Sequence, residues 1–146
     1  MKHRICIAVA LFLIPHAAFA QDREEGPQSD VSGAAADLGA TPDGFLAEDG
    51  ETLYLTACAG CHQPQGQGAI GAAAYPPLSA NPRLEGYRYP AWIVLNGQAA
   101  MPAFGDWLSN VQVAEVVRYI QQNLGNRYDS DLTPEIVAEL RDARAP

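Results

Sequence analysis

The sequence predicts an all-α domain, and three of its features point that way. The clearest repeat runs from about Asn110 to Leu124, where Val113, Val116, Val117, Ile120 and Leu124 recur at helical spacing. Ser109 and Gln112 form a capping box at its start, and Gly125 supplies a stop at its end. Thr133 and Pro134, ahead of "EIVAELR", carry the cap and first-position signature of another helix. No segment alternates apolar and polar residues as a half-buried strand does.

In chain order, residues 1–20 come first. Lys2, His3 and Arg4 precede the apolar run "ICIAVALFLI", and "PHAAFA" ends in small residues. That is the pattern of a cleavable signal peptide, with cleavage expected after Ala20. The run is about ten residues long, short of the roughly 20 that a spanning helix needs. Export to the periplasm is therefore expected, with no membrane span in the mature form. Residues 21–44 are small, acidic and interrupted by Pro and Gly, so they are expected to be a flexible leader.

Residues 45–128 are expected to be the folded domain. Its first helix is expected from Gly50 to Ala59, with Asp49 and Glu51 favouring the positive end of the helix dipole. A short helix from Tyr89 has Pro90 in its first turn and Gly97 just past its end. Residues 129–146 form a tail with the last short helix.

Composition narrows the chemistry. The 146-residue chain has a net charge of −8. Removal of residues 1–20 takes away the only lysine, leaving seven arginines against 17 acidic residues and a net charge of −10. That balance excludes a nucleic-acid partner. The mature chain then holds two cysteines (Cys58, Cys61), one histidine (His62) and one methionine (Met101).

The two cysteines stand in "CAGCHQPQGQG". Zinc needs about four ligands, and no second pair of Cys or His exists. A thioredoxin-like dithiol belongs after a β-strand, and no strand run precedes Cys58. A plain disulfide suits an exported protein but leaves His62 without a purpose. The remaining reading is covalent haem attachment, for which C-x-x-C-H is the signature. One haem c would then be held through Cys58 and Cys61, with His62 as an axial ligand of the iron. With no other His or Lys in the mature chain, Met101, in the Gly/Pro-bounded loop "NGQAAMPAFG", is the candidate for the second. Gly66, Gly68 and Gly71 suit a loop that passes close to a flat cofactor.

Gly50, Tyr54, Cys58, Cys61-His62, Met101-Pro102, Val116 and Tyr119 stand in an order and spacing that resemble the class I c-type cytochromes. The resemblance covers about Ala47 to Arg127. It implies a fold of a few helices wrapped around one haem, whose first and last helices cross near perpendicularly. Gly50 and Tyr54 on one helix would meet Val116 and Tyr119 on the other. It also implies that Pro76, in "PPL", accepts the hydrogen bond of the proximal histidine. More narrowly, the chain resembles cytochrome subunits and partners of bacterial periplasmic dehydrogenases of the quinoprotein, flavin or molybdenum type. Such a protein is an electron carrier rather than an enzyme, taking electrons from a dehydrogenase and passing them to an oxidase or another cytochrome of the respiratory chain. Two alternatives stand beside it: an obligate subunit of a dehydrogenase complex, and a haem sensor or enzyme with an open coordination site. Trp92 and Trp107 flank the Met101 loop, where either could reach a haem propionate, with plain packing as the default. The absence of lysine departs from cytochromes that dock through a basic ring.

Overall fold

The computed structural model describes residues 40–71 and 74–143. The expected signal peptide and the leader as far as residue 39 lie outside them. Four helices dominate the described chain, joined by short loops and two minimal β-ladders.

The chain enters through a hairpin of β1 (Ala40–Thr41) and β2 (Gly44–Phe45), paired antiparallel with Ala40 opposite Phe45. It straddles the boundary expected at Gly44. The Gln112 side chain holds it to the domain by donating to the carbonyls of Phe45 and Ala47, at 2.7 and 2.8 Å.

Helix α1 follows in three continuous parts: Gly50–Leu53, a π turn at Tyr54–Cys58, and Ala59–His62. Asp49 caps it by accepting the Thr52 N–H at 2.8 Å. Glu51 lies in the first turn. The helix thus runs three residues past the expected end and takes in the whole C-x-x-C-H segment. Where its ladder widens, the Thr56 hydroxyl donates to the Thr52 carbonyl at 2.7 Å, a back-bond that bends helices. Gln63, at φ 68°, ends it.

A second ladder pairs β3 (Ala69–Ile70) with β4 (Ala74–Tyr75). Both ladders escape a periodicity search because strands of two residues cannot show alternation. A 3₁₀ turn at Pro82–Leu84, capped by Asn81, leads into α2 (Arg88–Asn96), which Gly97 terminates at φ 70°. Helix α3 (Asn110–Gln122) begins with both hydrogen bonds of the Ser109–Gln112 capping box. It stops two residues short of the expected Leu124, because Asn123 is already extended at φ −123° and ψ −165°, and Leu124 then takes a left-handed φ of 56°. Helix α4 (Pro134–Asp142) is capped by Thr133.

The core lies where α1, α2, α3 and α4 meet. Leu53, Tyr54, Leu95, Val113 and Val117 are fully buried there. Helices α1 and α3 make the most extensive contact. A Cβ added at Gly50 would stand 2.3 Å from the Glu115 carbonyl oxygen and 2.7 Å from the Tyr119 Cβ, so only glycine allows this approach. One turn on, the rings of Tyr54 and Tyr119 pack with centroids 5.5 Å apart. Segment 129–143, expected as a tail, belongs to the same core through Leu132, Val137 and Leu140.

Candidate functional site

The C-terminal end of α1 carries Cys58, Cys61 and His62 on one wall of a cavity of about 550 Å³. Its size falls within the roughly 300–1,000 Å³ typical of small-molecule and cofactor sites. The Gly97–Gly105 loop brings Met101 to the same cavity, and the segment after β4 brings Pro76 and Leu78. All five residues expected at the site from sequence therefore line one space. The remaining lining is mostly apolar, from Leu84, Ile93, Val94, Phe104 and Ile120 among others. Arg83 is the one charged side chain among the lining residues that are not themselves candidate ligands.

His62 is buried, and its Nδ1 lies 3.0 Å from the Pro76 carbonyl oxygen. A carbonyl only accepts, so Nδ1 bears the proton and Nε2 keeps the lone pair a metal needs. The backbone around His62 is pinned as well. Its carbonyl accepts the Gly68 N–H at 2.9 Å, and the Tyr54 hydroxyl donates to the Gln63 carbonyl at 2.7 Å. Burial, with a smaller contribution from Cys58, raises the Tyr54 hydroxyl to about 12, so it remains a donor.

Cys58 and Cys61 are separate thiols, the first half-buried and the second exposed. Burial pushes the Cys58 thiol up to about 12, and the neighbouring Cys61 adds to the effect. Among the described residues, no group of three or more His, Cys, Asp or Glu could hold a metal ion.

Met101 sits at the closing pair of a tight turn. Its N–H donates to the Gln98 carbonyl at 2.9 Å, and its carbonyl accepts the Gln98 N–H at 3.0 Å. Gly97 makes this closure possible, since a Cβ there would stand 2.5 Å from the Met101 carbonyl oxygen.

The donor set fits a haem c. Two thiols and an imidazole with a free Nε2 stand on one wall, a thioether stands elsewhere in the lining, and apolar side chains fill most of the rest.

Gly66 and Gly68 do not line the cavity. Both have positive φ, and an added Cβ would press on the protein's own chain, at Leu124 and Ser79 for Gly66 and at Tyr75 and Pro76 for Gly68. An added Cβ at Gly71 meets nothing within 4 Å. Neither Trp92 nor Trp107 lines the cavity, and Trp107 packs edge-on against Phe104 with centroids 5.9 Å apart.

Other supporting residues carry no recognisable motif. Asn126, buried, donates to the Leu78 and Ile120 carbonyls, both at 2.8 Å, and accepts the Asn81 N–H at 2.9 Å. It ties the end of α3 to the segment that follows Pro76. An asparagine after a helix stop is a common turn residue, so nothing in the sequence separates this one from the rest.

A family profile described as "Cytochrome C oxidase, cbb3-type, subunit III" matches residues 45–120. The chain is 32% identical over 110 residues to the "Alcohol dehydrogenase (quinone), cytochrome c subunit" of Gluconacetobacter polyoxogenes, which covers 66% of this chain and 23% of that protein. It is 34% identical over 107 residues to the "Gluconate 2-dehydrogenase cytochrome c subunit" of Pantoea cypripedii, covering 65% and 24% respectively. It is also 31% identical over 88 residues to the "Cytochrome c6" of a Picosynechococcus strain, covering 55% of this chain and 75% of that one. The match thus spans about a quarter of the length of the dehydrogenase subunits.

Proposed function

Because the chain belongs to the cytochrome c family described as cbb3-type oxidase subunit III and is a class I c-type cytochrome, we propose that it is a periplasmic electron carrier with His62 and Met101 as axial ligands. Its one haem c is bound covalently through Cys58 and Cys61. That haem supplies a one-electron couple whose potential thioether ligation raises.

The protein's own residues hold and tune the site. The hydrogen bond from His62 Nδ1 to Pro76 orients the ring and raises the basicity of Nε2. The apolar lining excludes water. The observation that carries the proposal is the meeting of His62, Met101 and both cysteines in one largely apolar cavity. With Met101 in that lining, a saturated iron is favoured over an open-site sensor or enzyme.

The electron donor is a periplasmic dehydrogenase of the quinoprotein, flavin or molybdenum class, and the acceptor is an oxidase or another cytochrome of the respiratory chain. The names of the relatives, two of them dehydrogenase cytochrome subunits, support the donor class. They also favour a second reading, in which the protein is a permanent subunit of such an enzyme. Cleavage after Ala20 delivers it to the periplasm, with residues 21–44 as leader and 45–128 as the haem domain.

The test is expression with haem maturation, followed by purification and reduction by dehydrogenases of the three classes. Covalent haem and rapid reduction by at least one class are expected, and co-elution with that enzyme would select the subunit reading. Carbon monoxide should leave the reduced spectrum nearly unchanged. Extractable haem, or a large carbon monoxide shift, overturns the proposal.

A further inference from the structure

Arg141 lies on α4, beyond the residues that the family profile matches. Its guanidinium reaches back to the segment between Met101 and α3. Nη1 donates to the Gly105 carbonyl, Nη2 to the Leu108 carbonyl at 2.9 Å, and Nε to Asn110 Oδ1 at 3.0 Å. The planar fork of arginine suits three divergent acceptors, and a charged donor makes each bond stronger than a neutral one would.

On its other side the same segment is pinned to α2. Phe104 N–H donates to the Val94 carbonyl at 2.9 Å, and Gly105 N–H to the Leu95 carbonyl at 3.3 Å. Gly105 is thus held through its N–H by one helix and through its carbonyl by another. The Gln98–Met101 pair, by contrast, ties the loop tip only to itself. Helix α4 is a firm base for the clamp, because Val137 and Leu140 are buried in the core.

We propose that Arg141 is a positioning residue for Met101. By fixing the Gly105 and Leu108 carbonyls it limits the excursions of the loop and keeps the thioether in the cavity. The proposal rests on the assignment of Met101 as an axial ligand. An added ligand that needs the place of Met101 binds with an apparent affinity set by the fraction of molecules whose loop has moved away. Loss of the clamp raises that fraction.

The experiment compares the haem-loaded wild type with Arg141→Met, Arg141→Lys, Val137→Ala and Met101→Ala. It follows imidazole binding to the ferric protein, the sulfur-to-iron charge-transfer band, helix content on heating, and amide exchange at Phe104 and Gly105. For Arg141→Met, imidazole affinity should rise about tenfold. Its band should fade before helix content falls, and the Gly105 amide should exchange faster. Arg141→Lys, which keeps the charge but not the fork, should lie between, and it carries the comparison if Arg141→Met does not fold. Val137→Ala should lower the unfolding temperature with imidazole affinity unchanged.

Wild-type affinity in both Arg141 variants overturns the proposal. So does an equal rise in Val137→Ala, which would mark general loosening. A wild type without the band, binding imidazole as tightly as Met101→Ala, removes the ligation itself and the clamp with it.

Discussion

At Gly68 the backbone takes φ 69°, and an ideal Cβ would stand 2.4 Å from the Tyr75 carbonyl oxygen and 2.9 Å from the Pro76 carbonyl carbon. The carbonyl that accepts from His62 is therefore placed by a residue that has no side chain. Gly68→Ala should cost about 1–3 kcal/mol, because both the dihedral and the space are unfavourable. It should also push Pro76 away from His62. A weaker hydrogen bond makes the imidazole less basic, which disfavours the ferric state and raises the midpoint potential. Denaturant titration and potentiometry check the two effects separately, and an unchanged potential would detach Gly68 from the ring. Met101→Ala acts in the opposite direction. Loss of the thioether should abolish the sulfur-to-iron band and lower the potential while the haem remains attached. Persistence of that band would disqualify Met101.

Helix starts are stabilised locally, so their contributions separate cleanly. In α3 the Ser109 hydroxyl accepts the Gln112 N–H at 3.2 Å, while the Gln112 carboxamide oxygen accepts the Ser109 N–H at 2.9 Å. Ser109→Ala should cost about 1 kcal/mol, read as a lower denaturant midpoint at constant slope. In α1 the bond from Thr52 holds the Asp49 carboxyl below its usual 3.8. A depressed carboxylate contributes stability that is present above the unfolded value and is lost as pH falls through the folded one. The contribution of Asp49 should therefore disappear below about pH 4. Asp49→Asn, which caps without titrating, should flatten the acid limb of the stability profile. An acid limb identical to the wild type would show that other carboxylates dominate it.

Charge and docking belong to the whole molecule. Residues 21–146 carry ten more negative than positive charges, yet among the described residues no carboxylate lines the cavity. Asp22, Glu24, Glu25, Asp30 and Asp37 lie outside the described residues. A net field of this sign steers basic partners by raising the on-rate, and it is screened beyond roughly 10 Å at 0.1 M salt. Reduction by a basic donor should therefore be fast at low salt and slow as salt rises, and deletion of residues 21–39 should weaken that dependence. Equal rates across the salt series, with and without those residues, would assign docking to the apolar surroundings of the cavity instead.

The sequence by itself determined the helical class, the caps of two helices at Ser109 and Thr133, and the covalent attachment chemistry. Each of these is local: a cap spans four residues, a helical face repeats every turn, and C-x-x-C-H is five residues long. It also narrowed the candidates for the proposed axial pair to His62 and Met101, because residues 21–146 hold no other His and no Lys. Tertiary structure decided what depends on distant segments meeting. Gly68 makes room for the chain at Tyr75 and Pro76, which the pairing of β3 with β4 brings back against it. Asn126 and Arg141 act on carbonyls 48 and 36 residues away, at Leu78 and Gly105, and backbone acceptors leave no mark on the side-chain pattern. The last helix joins the core by burying Val137 and Leu140 while it packs against α2 and α3. Such pairings follow from the packing of whole helices, which no short window of residues contains.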